Sequence, residues 1–317
     1  MRRLFLSSAI SALVLASGVT ATAEVMTVPG PQGQLEGEAI IVPGASAGVV
    51  IVPGSGPIDR DGNSPMGLRS DSYRLLAEAL ASAGLSTLRI DKRGFFGSKD
   101  AIADPEDVTI ANYAADVDLW QRAFAERIGT NCVWIAGHSE GGLVALAAAA
   151  KGATPCGLIL LAAPGRRVST LMREQFRNNP ANAPYLAEID RIVSGLEQGR
   201  RTDVGTMSAV LQPLFRQGLQ RYMIDLFSYD PVALAKGLSL PVLIVQGDRD
   251  VQVTVEDAGL LARSMPHARV VQLPGVTHML KADVPDAPFA TYQDPTLPLA
   301  PGIVPAVVQA VQAHTRR

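Results

Sequence analysis

Ser139 is the residue around which the chemistry of this sequence is organised. It stands in Gly137-His138-Ser139-Glu140-Gly141-Gly142, directly after the apolar run Cys132–Ala136 and at the start of the alanine-rich segment Gly141–Lys151. A serine held on a tight strand-to-helix turn has its hydroxyl lifted clear of the backbone, and the flanking glycines let strand and helix approach closely. The helix N-terminus beneath such a serine favours developing negative charge. A second Gly-x-Ser-x-Gly, Gly44–Gly48, lies between two apolar runs with Pro43 in front of it. It reads as a hairpin loop and not as a nucleophile turn.

A serine hydroxyl attacks a carbonyl only when a base accepts its proton and a carboxylate orients the base. Four histidines are available. His138 is inside the turn and is expected to pack beside the site. His314 is near the end of the chain, and His267 precedes an apolar run. His278 follows the run Arg269–Leu273 through Pro274-Gly275-Val276-Thr277, on a loop beyond the carboxyl end of a strand, where the sites of parallel sheets gather. It is the candidate base. Pro241–Gly247, the preceding strand, ends in Asp248-Arg249-Asp250. Both aspartates are within reach. Asp250, three residues past Gly247, leaves room for a turn back toward His278, whereas Asp248 suits a turn cap or a pair with Arg249. Two preorganised N–H donors must hold the oxyanion. The amide of Glu140 supplies one. The other is expected from Pro53-Gly54-Ser55-Gly56-Pro57, at the backbone of Ser55. That loop lacks the Gly-Lys-Ser/Thr ending of a phosphate cradle.

These segments need a scaffold, and the rest of the sequence supplies one. Glu38–Pro43, Gly48–Pro53, Leu85–Asp91, Asn131–Gly137, Gly157–Ala162, Pro241–Gly247 and Ala268–Leu273 read as strands. Ser70–Ala83, Thr109–Arg127, Gly141–Lys151, Val255–Ser264 and Pro305–His314 read as helices between or after them, with Ser70 or Asp71 capping the first. Alternation of this kind predicts an α/β fold, a mostly parallel sheet with helices on both faces. The stretch from Pro164 to Leu240 exceeds what one crossover needs. Its helical patterns at Thr170–Arg177, Tyr185–Leu196 and Met207–Phe227, the last broken or kinked at Pro213, suggest a cap that roofs a pocket while adding to the core.

Composition narrows the function. With 47% hydrophobic and 18% charged residues the chain is not a disordered one. Lys plus Arg number 28 against 30 Asp plus Glu, and with no basic run, nucleic acid is not an expected partner. Met1-Arg2-Arg3, the apolar Leu4–Ala16 and Ala21-Thr22-Ala23 have the layout of a signal peptide cut after Ala23. The apolar stretch is too short for a span, so no stable membrane insertion is expected after cleavage, and a periplasmic or secreted location follows. Cys132 and Cys156 begin two runs that would lie in register as neighbouring strands, to be bridged in an oxidising compartment or to sit as two small buried hydrophobes. No metal-ligand cluster or cofactor motif is evident.

Taken together, the chain resembles the α/β-hydrolases, and more narrowly the bacterial serine carboxylesterases and serine-aminopeptidase-like hydrolases. The resemblance rests on the segments 54–62, Arg89-Ile90-Asp91-Lys92-Arg93-Gly94-Phe95-Phe96-Gly97-Ser98, Gly137–Gly142, Gly247-Asp248-Arg249-Asp250 and Thr277-His278, in the family's order. It implies an α/β-hydrolase core at 24–164 and 239–317, a helical cap at 165–238 inserted after the sixth strand, and the triad Ser139, Asp250, His278. It also implies hydrolysis of a small carboxylic ester through an acyl-enzyme, without cofactor. An aminopeptidase, amidase or thioesterase on the same triad, or a non-catalytic binding protein on the same fold, are the competing readings. Many relatives carry histidine before the oxyanion glycine, where this chain has Pro53. The acidic Glu140 beside an oxyanion hole requires a partner, such as Arg60 or Arg93, or protonation by burial. Asp59-Arg60-Asp61 reads as a structural ion-pair cluster.

Overall fold

The structure, a computed structural model, describes residues 21–315. The expected leader, 1–23, lies outside the described residues apart from its last three positions, of which Thr22 and Ala23 open strand β1. In chain order the elements are β1 (Thr22–Pro29), β2 (Gln34–Ile41), β3 (Gly48–Val52), α1 (Ser72–Ser82), β4 (Ser86–Ile90), α2 (Ile110–Ile128), β5 (Trp134–His138), α3 (Glu140–Ala150) and β6 (Gly157–Leu161). There follow α4 (Val168–Asn178), α5 (Leu186–Glu197), α6 (Gln217–Ser228), α7 (Pro231–Ala235), β7 (Val242–Gly247), α8 (Val255–Ser264), β8 (Arg269–Leu273), α9 (Ala290–Gln293) and α10 (Ile303–Thr315).

The strands form one sheet in the order β1-β2-β4-β3-β5-β6-β7-β8, parallel from β4 through β8 and antiparallel at β1 and β2. The central strands are uniformly apolar because both of their faces are covered. Val49 and Ile51 of β3 meet α1 and α10 through Tyr73, Leu76, Ile303 and Val307. Val50 and Val52, pointing the other way, meet α2 and α3 through Trp120, Phe124 and Leu143. This period-two division of one strand between two cores fixes its register, since a one-residue slip would exchange the faces. Helix α2 begins at a capping box, Thr109 with Asn112, and ends at Gly129 in the left-handed conformation.

Three local expectations change. Gly44–Gly48 does not close a hairpin, because β4 lies between β2 and β3. Asp71 takes the N-cap position of α1 at φ 51° but makes no capping bond; its carboxylate joins Arg74 and Asn63. Residues 207–216 form turns, and α6 starts only at Gln217. Pro213 removes a helical donor, and it also disfavours helical angles at the residue before it.

Between β6 and β7 the chain builds α4 to α7. Tyr222 of α6 meets Tyr113 of α2 edge-on, with ring centroids 6.3 Å apart. Met223, Leu226 and Phe227 join the larger core. Of the described helices, none is long and apolar enough to cross a membrane.

Cys132 and Cys156 are bridged, their Cα atoms 5.3 Å apart. The bond staples the start of β5 to the start of β6, at the far end of both strands from Ser139. Closing a loop of this length stabilises by about 3 kcal/mol, chiefly by restricting the unfolded chain. A Cys132→Ser/Cys156→Ser variant is expected to melt about 5–10 °C lower than the oxidised protein. Reducing agent should reproduce that shift in the wild type and leave the variant unmoved in a calorimetric scan.

Candidate active site

Strand β5 runs straight into α3, and the single residue between them is Ser139, at φ 54° and ψ −123°. No β-carbon sits comfortably at that φ, so the conformation must be imposed from outside. The serine amide donates to the Leu161 carbonyl of β6 at 2.9 Å, and the serine carbonyl accepts from Gly142 at 2.9 Å. Glycine is required on both sides. A Cβ on Gly137 would run into the Gly141 carbonyl, and one on Gly141 into the Val52 carbonyl of β3. The turn can be this tight only because three backbones touch.

The candidate base lies at the other end of the chain. His278 is buried on the loop after β8, and its Nδ1 donates to Asp250 Oδ2 at 2.7 Å. Nε2 is thereby left without a proton, the tautomer a base requires. Asp250 is held by the turn after β7. Its Oδ1 accepts from the amides of Gln252 (2.8 Å) and Val253 (3.0 Å), and its Oδ2 also accepts from Gln246 Nε2 at 3.2 Å. Burial pushes this carboxyl up, but the adjacent imidazole and the amides outweigh it, and Asp250 lies below the ordinary carboxylate range. Asp248 has a different place: it accepts from the Gly275 amide at 2.7 Å and braces the loop leading to His278. His267 and His314 are elsewhere, on the Leu240 carbonyl and against Trp134.

His138 has more to do than pack. Its Nε2 is 2.8 Å from the His278 carbonyl, which can only accept, so Nε2 carries the proton. Nδ1 must then accept from the Tyr73 hydroxyl, 2.8 Å away, and that hydroxyl in turn accepts from the Gly54 amide at 3.0 Å. Gly54 N–H, Tyr73, His138 and the His278 carbonyl thus form one directed chain. The imidazoles of His138 and His278 lie 4.7 Å apart. Through this chain the base loop and the Gly54 loop meet at the elbow, where a Cβ on Gly54 would lie 3.3 Å from that of Ser139. The Ser139–His278 hydrogen bond itself is not formed. Such bonds commonly tighten only with substrate in place.

Burial, aided by the neighbouring His278, pulls His138 down to about 3 from an ordinary 6.5. Unfolding therefore takes up a proton anywhere between those values. Stability is full above pH 6.5 and falls as the pH drops toward 3, by up to about 1.4 kcal/mol per pH unit from this group. In urea titrations at pH 7 and pH 5, a His138→Asn variant is expected to lose less stability between the two than the wild type. An equal loss would assign the acid sensitivity to other groups.

The loop Pro53–Pro57 and Glu140 are joined. The Glu140 amide is the first of α3, one of those a helix leaves without an internal acceptor. The Gly54 amide is engaged by Tyr73 and is not free for an oxyanion, so the Ser55 amide next to it stays the candidate donor of this loop. The Glu140 carboxylate turns away and accepts from Ser55 Oγ at 2.8 Å, with Lys92 Nζ 3.5 Å from its other oxygen. The expected arginine partners are engaged elsewhere: Arg60 with Asp91 and Glu36, Arg93 with Asp116. Asp59-Arg60-Asp61 is an ion-pair and turn cluster, with Asp61 on Arg89 and Asp59 on the Asn63 amide. Lys92 and Tyr73 supply the support that Pro53 cannot give. Neither stands in a motif that announces it. Lys92 is one of three cations in Arg89–Arg93, and only its place just past the carboxyl end of β4 hints at the site.

Residues 49–291 match the sequence profile described as the alpha/beta hydrolase family. The esterase EstD of Thermotoga maritima is 28% identical over 210 residues, which is 66% of this chain. The chain spans about half the length of that relative, 48%. Among solved structures, Est1E from Butyrivibrio proteoclasticus superposes with a TM-score of 0.59 at 18% identity, covering 92% of this chain and 99% of that one. A thermophilic esterase from Thermogutta terrifontis gives 0.57 at 20% identity, with 92% and 99% covered.

Proposed function

Because the chain belongs to the alpha/beta hydrolase family, we propose that it is a serine esterase acting on small carboxylic esters. One observation carries this reading: a buried Asp250–His278 hydrogen bond of 2.7 Å beside a serine with positive φ at a strand-to-helix turn. In the proposed reaction Ser139 Oγ attacks the acyl carbon while His278 Nε2 takes its proton. The amides of Ser55 and Glu140 hold the oxyanion. The imidazolium then returns the proton to the departing alcohol, leaving an acyl-serine. Water repeats the sequence, losing its proton to His278 and releasing the acid.

Ester is preferred to amino-terminal amide for a physical reason. An aminopeptidase needs a carboxylate free to hold a substrate ammonium, and Glu140, the acid next to Ser139 in the chain, is taken up by Ser55 and Lys92. The helices α4–α7 are assigned the role of a cap over the acyl group. Support comes from Tyr222 of α6, whose ring packs edge-on against Tyr113 and whose buried hydroxyl lies within the electrostatic reach of Glu140, the residue after Ser139. Export fits the Cys132–Cys156 bridge, since such bonds persist in oxidising compartments. The test pairs p-nitrophenyl acyl esters of increasing chain length with aminoacyl p-nitroanilides. Turnover of short esters and not of anilides is the expected result, and the reverse preference would replace the esterase reading with a peptidase.

A further inference from the structure

Lys92 is buried, yet no step above uses it. Its ammonium sits where three features of the site converge. Nζ donates to the Gly54 carbonyl at 2.5 Å, approaches Glu140 Oε1 at 3.5 Å, and lies 5.1 Å from the centre of the Tyr113 ring. The first contact is to the peptide unit that carries the Ser55 N–H, and the second is to the side chain of Glu140. A trans peptide points its carbonyl and its N–H in opposite directions. Pinning the Gly54 carbonyl therefore aims the N–H of the same peptide unit, which is that of Ser55. The preceding peptide is pinned as well, since the Gly54 amide is held by Tyr73. Glu140, whose own amide is the second donor, closes the frame by accepting from both Ser55 Oγ and Lys92.

We propose that Lys92 is a positioning residue for the oxyanion hole: its ammonium cross-braces the Gly54–Ser55 peptide to Glu140 and thereby sets the direction of the Ser55 N–H. This rests on the assignment of Ser139 as nucleophile and of the Ser55 amide as an oxyanion donor. It explains why an acid is tolerated next to an oxyanion hole. The Glu140 carboxylate neutralises the brace and faces away from the reacting oxygen. It also gives a role to a lysine that is costly to bury: desolvation holds the Lys92 ammonium below its ordinary pKa, and Glu140 offsets that only in part. A cation kept solely for stability would be a poor choice, because buried ion pairs are often replaceable by apolar groups without loss.

The test is Lys92→Met together with the double variant Lys92→Met/Glu140→Gln. The single variant strands a carboxylate in the interior and is at risk of misfolding; the double removes that charge while keeping an acceptor for Ser55 Oγ. Two quantities are read in the wild type and both variants. One is the second-order rate of phosphonylation of Ser139 by a fluorophosphonate, with the adduct located by mass. The other is the affinity for an acyl-like trifluoromethyl ketone, which becomes an oxyanion on the serine, against its alcohol, which does not. Both the rate and the ketone affinity are expected to fall roughly 10- to 100-fold in the double variant, short of the ~10²–10³ that deleting an oxyanion donor costs. Alcohol affinity should stay within about twofold, and the melting temperature near that of the wild type, since the stranded charge is gone. Rates equal to the wild type, or parallel losses for ketone and alcohol, would overturn the brace. A wild type that takes no phosphonate at Ser139 would remove the nucleophile and the brace together. A wild type that is labelled but cleaves no ester would remove only the substrate class, and the variant rates would still decide the brace.

Discussion

Ser139→Ala is expected to lower kcat for a p-nitrophenyl ester by about 10⁵-fold or more, with KM little changed. The size follows from the geometry. Every other component remains in the variant, namely the two amides, the imidazole and its carboxylate, yet no covalent acyl-enzyme can form. Residues acting as a unit lose nearly everything with the first removal. Alanine keeps the Cβ at φ 54°, so the elbow and the fold are unchanged, and only the hydroxyl is lost. A stopped assay that detects turnover above background, with the adduct test showing no label at 139, measures the residue. Activity within tenfold of the wild type would place the nucleophile elsewhere.

Asp250→Asn is the second large effect, on the order of 10⁴-fold in kcat. Oδ1 of Asp250 accepts from two backbone amides, so an asparagine must direct its carbonyl oxygen there and its NH₂ toward His278. Facing a donor, Nδ1 gives up its proton, the proton moves to Nε2, and the side that should accept from Ser139 is occupied. The charge that stabilises the imidazolium disappears in the same substitution. Asp248→Asn, two residues away, still presents an oxygen to the Gly275 amide and should cost less than about tenfold. Comparing kcat for the two variants separates them. A larger loss at 248 would reverse the assignment of the carboxylate.

The positions legible in the sequence were those where residue type and local order both speak. Ser139 was visible because two glycines and a serine follow an apolar run and precede an alanine-rich one. His278 was visible because, of the three histidines outside the elbow, it alone lies on a loop beyond the carboxyl end of a strand. The architecture followed from the alternation of the same runs. What stayed hidden depends on contacts between distant segments. Tyr73 is one ring within the helical pattern Ser70–Ala83, Lys92 is one of three cations in Arg89–Arg93, and His138 is expected only to pack. Each is defined by a partner 19 to 140 residues away. Glu140 was recognised as a problem, but not its solution, because Arg60, Lys92 and Arg93 differ in which way they face and not in kind. The missing helix over 207–216 is a simpler case, in which the apolar spacing was helical and Pro213 prevailed over it.

The uncharged link through Tyr73 and His138 has a mechanical corollary. The strip proposed to steady the oxyanion and the strip that carries the proposed proton acceptor are both tied to one ring, that of His138, the first through Tyr73. Thermal wander of either is then partly shared by both. Under the proposed mechanism, the span between the reacting oxygen and the imidazole nitrogen is then expected to vary less than it would if the two strips were unlinked, and proton transfer tolerates little misalignment.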